Sequence, residues 1–230
     1  MKRFVLKLSG EALAAGNKHG INDDFLDRLA NVIRGIDAQL VVVVGAGNFW
    51  RGRQTDRMNK ASADHMGMLA TVMNSVALSD AFTRNGIPNR HFSAFAVDGV
   101  AERYSVVEAV RALQDNEVVI VSGGTGSPFF TTDSGAALRA AELRVDGILL
   151  AKNIDGVYDK DPAIHADAVK FEQIDISKAI DMRLKVMDLT AMAICMENKI
   201  DIRVFGLDRP ENIASAVLGT NVGTLVTGNS

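Results

Sequence analysis

Residues 123–134 read GGTGSPFFTTDS, a run of glycines and hydroxyls between two very different segments. The four residues before it, 118–121, are Val-Val-Ile-Val, a short β-branched run typical of a buried strand. Residues 135–143, which follow it, are rich in alanine and leucine, and these residues favour a helix. The order predicts a strand, a glycine-rich turn and a helix, with Asp133 and Ser134 suited to begin the helix.

This glycine-rich loop has two interpretations when it is taken alone. Glycines let a backbone approach a ligand closely, and the free N–H groups at the start of a helix attract an anion. Phe129 and Phe130 are unusual in so polar a loop. The loop is therefore either a ligand-binding turn or a tight turn whose two phenylalanines pack into the core.

Size and charge exclude several classes of protein. The chain has 230 residues, of which 47% are hydrophobic and 23% charged, enough for one α/β domain or at most two small ones. Its net charge of −3 gives no general attraction to nucleic acid or to anionic membranes. The single Cys195 lies in an apolar run, permits no internal disulfide and indicates a reducing compartment. Because no signal peptide or membrane-length apolar run is apparent, we expect a cytoplasmic protein without nucleic-acid or membrane partners.

Strand-like and helix-like segments alternate along the whole chain. This order predicts a three-layer α/β sandwich with a largely parallel central sheet. Four predicted strands run into polar, glycine-bearing or charged segments, at residues 7–10, 45–51, 123–133 and 152–161. Each segment alone could be a surface loop. Because parallel strands end at one edge of a sheet, their shared character favours a ligand site at that edge.

Other signals are weaker or negative. The Gly45 turn has Trp50 where a dinucleotide fingerprint needs its third glycine, and no Walker A pattern occurs. The four histidines show no metal-ligand spacing. A long helix is predicted over residues 61–82. Its stripe of Met66, Leu69, Met73 and Val76 indicates either core packing or a subunit contact.

Five blocks carry a family resemblance: KLSGEAL at 7–13, GNFWRG at 47–52, DHMGMLAT at 64–71, GTGSPFFTTD at 124–133 and KVMD at 185–188. In this order, and over essentially the whole chain, they resemble the bacterial uridylate (UMP) kinases of the amino-acid kinase family. The resemblance implies a single domain over residues 1–230 with the amino-acid kinase, or carbamate kinase-like, fold. It also implies transfer of the γ-phosphate of ATP to UMP, giving UDP and ADP in pyrimidine nucleotide biosynthesis.

The resemblance also implies roles for individual residues. The implied catalytic residues are Lys7, Arg51 and Asp133. The implied ATP-binding residues are Lys7, Ser9, Gly10, Gly47, Arg51, Asn153, Tyr158 and Asp161. The implied UMP-binding residues are Ala46, Asp64, Thr125, Gly126, Ser127, Pro128, Phe129, Phe130, Thr131 and Thr132. Mg²⁺ is implied as a cofactor held mainly by the nucleotide phosphates, without a dedicated protein site.

The family implies a homohexamer that is activated by GTP and inhibited by UTP, and no residue here matches a distinctive effector motif. Two alternatives stay open. A related kinase of the same fold would phosphorylate a carboxylate, a carbamate or an isoprenoid phosphate. A nucleotide sensor would bind without catalysis, although a pure binding protein has no need for Lys7, Arg51 and Asp133 together.

Overall fold

The computed structural model describes residues 1–50, 57–220 and 222–228. In these ranges the elements in chain order are β1 (Arg3–Leu8), α1 (Gly10–Leu13), α2 (Asp23–Arg34), β2 (Gln39–Val44), α3 (Lys60–Arg84), β3 (Asn89–Ser93), β4 (Glu102–Arg103), α4 (Val106–Gln114), β5 (Val118–Ser122), α5 (Thr132–Glu142), β6 (Gly147–Lys152), β7 (Gln173–Asp175), α6 (Ile176–Asp181), α7 (Leu189–Glu197), β8 (Ile202–Gly206), α8 (Asn212–Leu218) and β9 (Thr224–Thr227).

The described strands form one sheet in the order β4-β3-β5-β2-β1-β6-β8-β9-β7. Neighbouring strands run parallel except β8 and β9, which pair antiparallel. β1 lies at the centre, where Lys7 is in register with Val43 of β2 and Leu150 of β6. The four strands that precede the polar segments, β5, β2, β1 and β6, are consecutive in this order. Their carboxyl ends therefore share one stretch of one edge.

The sheet buries an apolar core on each face, which makes the architecture three-layered. Because side chains alternate along a strand, Val5 of β1 faces one core while Leu6 faces the other. Helices α4, α5, α6 and α7 cover the first core, and α1, α2, α3 and α8 cover the second. The α/β sandwich predicted from the sequence is confirmed.

The observed start of α5 precedes the start predicted at Asp133 and Ser134 by one to two residues. The helix begins at Thr132, and Thr131 is its N-cap because its hydroxyl accepts the N–H groups of Asp133 and Ser134. Asp133 therefore lies in the first turn, where its charge suits the positive end of the helix. The structure also adds α1, β4 and β7, which are too short to leave a periodic signal in the sequence.

Helix α3 is 25 residues long, with Asn85 as its C-cap and Gly86 directly after it. Gly86 has a φ of +72°, which suits glycine. The four residues of the predicted apolar stripe are all exposed, with Leu69 and Met73 each 53% accessible. The prediction that this stripe packs in the core is therefore wrong. None of the helices in the described ranges combines the length and the hydropathy needed to cross a lipid bilayer.

Candidate active site

The ends of β1, β2 and β5 meet in direct contact at the carboxyl edge. A Cβ built on Gly10 would lie 2.6 Å from the N atom of Gly47 and 2.7 Å from the O atom of Gly45. Only glycine allows the turn after β1 to approach the turn after β2 this closely. A Cβ on Gly45 would lie 3.5 Å from Oγ1 of Thr132, at the start of α5. Two glycine turns and one helix start are thus packed into a single rim.

A lysine–carboxylate–lysine cluster lies at the same edge. Nζ of Lys7, at the end of β1, is 2.7 Å from Oδ1 of Asp133, and both side chains are largely buried. The contact is an ion pair whose geometry lacks the alignment of a hydrogen bond. Lys152, at the end of β6, donates from Nζ to the backbone oxygens of Lys185 and Val186.

Burial lowers the pKa of Lys152, the neighbouring Lys7 lowers it further, and the Asp133 carboxylate acts in the opposite direction. Two ammonium groups thus flank one carboxylate. An excess of positive charge in so sheltered a place favours a bound anion.

A cavity of about 530 Å³ lies between the first half of α3 and the loop that follows β5. Its walls include these residues of the predicted UMP site: Ala46, Asp64, Thr125, Ser127, Phe129, Phe130, Thr131 and Thr132. Gly126 and Pro128 do not line it. A volume of several hundred Å³ is typical of sites for small ligands.

Phe129 does not pack into the core, so the core-packed interpretation of the loop is wrong. Its side chain is 62% exposed, and Phe130 is also exposed. The backbone of Phe129 has a φ of +72°, which is unusual for a residue with a side chain. Asp64 of α3 accepts its N–H at 2.8 Å, and Nζ of Lys60 lies 5.2 Å from its ring centroid. Helix α3 therefore holds the tip of the loop over the cavity.

Four of the predicted ATP residues line two further cavities, whereas Lys7, Ser9 and Gly10 line neither. One, of about 690 Å³, lies beside α1 and α2 and includes Gly47 and Asn153. The other, of about 370 Å³, follows the end of β6 and includes Tyr158 and Asp161. Gly47 also lines the 530 Å³ cavity, so the turn after β2 is a shared wall of two cavities.

Several predicted side chains already have partners within the chain. The hydroxyl of Ser9 accepts the Ala12 N–H and caps α1. Asn153 donates to Glu11 at 3.3 Å, and the hydroxyl of Tyr158 donates to Asp155 at 2.7 Å. That hydrogen bond to a carboxylate raises the pKa of Tyr158. Arg51 lies outside the described residues.

Asp188 was not assigned a role from the sequence, yet it joins two helices at the site. It is the N-cap of α7, where it accepts the Ala191 N–H at 2.9 Å. It also accepts the hydroxyl groups of Ser134 and Thr131 at the start of α5. An aspartate directly before an apolar helix is an N-cap signal, and this signal was present in the sequence. In the described part of the chain, no three or more His, Cys, Asp or Glu side chains are grouped so as to hold a metal.

Comparison with protein families decides the classification, because the model of the amino acid kinase family matches residues 2–206. The chain belongs to the amino acid kinase family. The sheet order and the covering helices agree with this fold, so the predicted fold family is confirmed. Membership supports a phosphotransferase.

Solved structures resemble this amino acid kinase over almost its whole length. A UMP kinase from Ureaplasma parvum is 37% identical, with a TM-score of 0.93 and coverage of 98% of each chain. A UMP kinase from Bacillus anthracis is 32% identical, with a TM-score of 0.93 and coverage of 100% of this chain and 97% of that chain. A uridylate kinase from Archaeoglobus fulgidus is 31% identical, with a TM-score of 0.76 and coverage of 98% and 100%.

Proposed function

We propose that this amino acid kinase is a UMP kinase, which transfers the γ-phosphate of ATP to UMP to give UDP and ADP in pyrimidine nucleotide biosynthesis. The observation that carries the proposal is the position of Gly47 on the walls of two cavities that are each large enough for a nucleotide. A glycine turn between two such cavities can contact the phosphates of both ligands. The similarity to two bacterial UMP kinases supports UMP as the acceptor.

In this proposal UMP occupies the 530 Å³ cavity. The Asp64 carboxylate accepts a ribose hydroxyl, and the loop at residues 125–132 encloses the nucleotide. The exposed rings of Phe129 and Phe130 supply apolar contact, which a loop without a ligand would not need. When UMP binds, the Asp64 carboxylate either releases the Phe129 N–H and accepts the ribose hydroxyl, or accepts both hydrogen bonds.

ATP lies on the other side of the Gly47 turn. Its phosphates contact Lys7, Ser9, Gly10 and Gly47. Of the predicted ATP residues, Gly47 and Asn153 border the 690 Å³ cavity. Tyr158 and Asp161 hold the base and the ribose in the cavity after β6. The division of these residues between two cavities suits an extended ligand with a nucleoside at one end and a triphosphate at the other.

The chemistry requires no general base, because the phosphate of UMP is already an anionic nucleophile. The protein has to align two polyanions and screen the repulsion between them. Lys7, held by Asp133 at 2.7 Å, is one cation at the point of transfer, and Arg51 is proposed as the second. Asp133 acts by fixing Lys7.

Mg²⁺ fits this donor set as an ion held by the phosphates. The described residues contain no group of three or more acidic, histidine or cysteine side chains for a metal, and Mg²⁺ in phosphoryl transfer is bound largely by substrate phosphates and water. When bound, it neutralises charge on the transferring phosphate.

We further propose that residues 1–230 form one cytoplasmic domain that assembles as a homohexamer. The exposed stripe of Met66, Leu69, Met73 and Val76 on α3 is the proposed subunit contact, because monomeric proteins rarely expose large apolar patches. The resemblance supports GTP as activator and UTP as inhibitor, and we assign no residues to either effector.

The decisive experiment measures ADP release with ATP, Mg²⁺ and a panel of acceptors: UMP, CMP, AMP, and representative carboxylate, carbamate and isoprenoid phosphate substrates. We expect UMP to give the highest kcat/KM. Preference for a non-nucleotide acceptor would instead support a related kinase of the same fold. Binding of UMP and ATP without UDP formation would support the nucleotide sensor.

A further inference from the structure

A buried pair of amides, Asn48 in the turn after β2 and Asn74 in the middle of α3, joins these two segments. Each side chain donates from Nδ2 to Oδ1 of the other at 2.8 Å, and both are almost completely buried. Nδ2 of Asn74 also donates to the oxygen of Gly45 at 2.8 Å, and Nδ2 of Asn48 donates to the oxygen of Gly20 at 2.8 Å. All four amide N–H groups are used. A fully satisfied buried network of this kind allows one arrangement of its members.

The bond to Gly45 sets the direction of the next backbone N–H. In a planar trans peptide the C=O of one residue and the N–H of the next point in opposite directions. Because the Gly45 oxygen faces Asn74, the Ala46 N–H faces away from it. Ala46 lines the 530 Å³ cavity, and its N–H donates to no acceptor within the described ranges. It is therefore free to bind an anion at the rim.

Thr71 makes an equivalent contact with the glycine-rich loop that follows β5. It lies three residues before Asn74, so both point from the same side of α3. Its Oγ1 donates to the Met68 oxygen at 2.6 Å and accepts the Gly123 N–H at 2.8 Å. Gly123 has a φ of +81°, and a Cβ there would lie 2.8 Å from the Phe95 ring. One face of one helix thus supports both loops.

We propose that Asn74 is a positioning residue for phosphoryl transfer and that Thr71 is its counterpart for acceptor binding. Through the Gly45 carbonyl, Asn74 holds the Ala46 N–H toward the transferred phosphoryl group. Through the Gly123 N–H, Thr71 holds the start of the loop that encloses the acceptor. The inference rests on the proposed function, since it requires a phosphoryl group at the rim.

The test uses substitutions that keep the shape of the side chain and change its hydrogen-bonding groups. Asn74→Asp removes both N–H donors of the amide, and its carboxylate repels the Gly45 oxygen and Oδ1 of Asn48. We expect kcat to fall about 100-fold, the size of effect seen when one hydrogen-bond donor to a transition state is lost. The KM values for UMP and ATP should change little, because ground-state contacts remain.

Thr71→Val should instead raise the KM for UMP about tenfold, which corresponds to one hydrogen bond, and leave the KM for ATP near its original value. Thr71→Ser keeps the hydroxyl and should restore the KM for UMP. The matched control is Ser75→Ala, because the buried Ser75 hydroxyl has no hydrogen-bond partner in the described part of the chain. Circular dichroism melting of every variant measures the folded fraction.

The inference is wrong if Asn74→Asp retains the kcat of the original enzyme, or loses activity only in proportion to its unfolded fraction. It is also wrong if Thr71→Val raises both KM values equally. These failures differ from failure of the proposed function, in which the unmodified chain itself gives no UMP-dependent ADP release.

Discussion

The Nζ atom of Lys7 lies 2.7 Å from Oδ1 of Asp133, which joins the end of the central strand β1 to the first turn of α5. The two residues are 126 positions apart in sequence. Asp133 lies beside the positive end of α5, so the ion pair is supported by the helix as well as by the lysine. This contact fixes a cation where two glycine turns meet.

Lys7→Met should reduce turnover far more than stability. We expect kcat to fall at least about 100-fold, since one cation at the transferring phosphate is lost. The free energy of unfolding should fall by no more than about 3 kcal/mol, below the usual cost of a broken buried pair, because the charge of Lys152 still faces Asp133. Steady-state kinetics and urea unfolding measure both effects. Lys2→Met removes the same charge at an exposed site and should leave turnover and stability unchanged. If Lys7→Met keeps the original turnover, Lys7 has no role in phosphoryl transfer.

Asp64→Ala should weaken acceptor binding selectively. We expect the KM for UMP to rise about tenfold or more, the equivalent of one charge-assisted hydrogen bond, while the KM for ATP changes little. Asp80→Ala is the matched control, because Asp80 pairs with Arg84 at the far end of the same helix. An equal rise in both KM values would show that Asp64 supports the whole site and does not bind UMP itself.

Gly10→Ala should destabilise the rim. The new Cβ would lie 2.6–2.7 Å from backbone atoms of Gly45 and Gly47, which cannot move without separating the two turns. We expect a loss of about 2 kcal/mol or more in the free energy of unfolding, as for overpacked interiors. Gly35→Ala is the control, because its Cβ would have only ordinary contact, at 3.6 Å from the Val32 oxygen. Equal stability of the two variants in urea unfolding would contradict the packing described for the rim.

Leu69→Lys should disrupt the proposed oligomer. The side chain is 53% exposed at the centre of the apolar stripe, so a lysine there costs the isolated subunit little but places a charge in a subunit contact. We expect light scattering to show a smaller species than the hexamer proposed for the original chain, with an unchanged circular dichroism spectrum. Asp80→Asn adds the same unit of charge elsewhere on α3 and should leave the assembly intact. If the mass of the Leu69→Lys assembly is unchanged, the subunit contact lies on another surface.

His91 should make the protein less stable in mild acid. Burial lowers its pKa to about 4, from an unfolded value near 6.5. Between these values the unfolded chain binds the extra proton, so stability is constant above about pH 6.5 and falls as the pH drops toward 4, by at most about 1.4 kcal/mol per pH unit. His91→Gln should flatten this part of the profile, measured by urea unfolding at each pH. Identical slopes for the two proteins would assign the acid sensitivity to other groups.

Much of the fold was predictable because its signals are local. The β-branched runs of β2 and β5 and the periodic apolar faces of α2 and α4 fix the alternation of strands and helices. Pairing direction is not local, so the antiparallel contact of β8 with β9 and the edge position of the three-residue β7 were not predicted. These features depend on which neighbours remain unpaired after the rest of the sheet has formed.

The position of the candidate site was predictable where polar residues follow a strand end, as at Lys7 and at the Gly123 loop, and the roles of these residues stay predictions. The site was not predictable where a side chain forms hydrogen bonds with backbone atoms that are distant in sequence. Lys152 donates to oxygens more than 30 residues away, and Asn74 sits in mid-helix, where asparagine carries no recognisable signal. The start of α5 was misplaced because Thr131, and not the following Asp-Ser pair, has its hydroxyl in capping position.

A crystal structure with UMP and a non-hydrolysable ATP analogue would show where both nucleotides bind. We expect UMP in the cavity beneath Phe129 and the analogue across the Gly47 turn, with a UMP phosphate oxygen about 3–3.5 Å from the γ-phosphorus and Lys7 beside both phosphates. Nucleotides bound on separate faces of the sheet, or phosphates that do not meet beside Lys7, would contradict phosphoryl transfer at this rim.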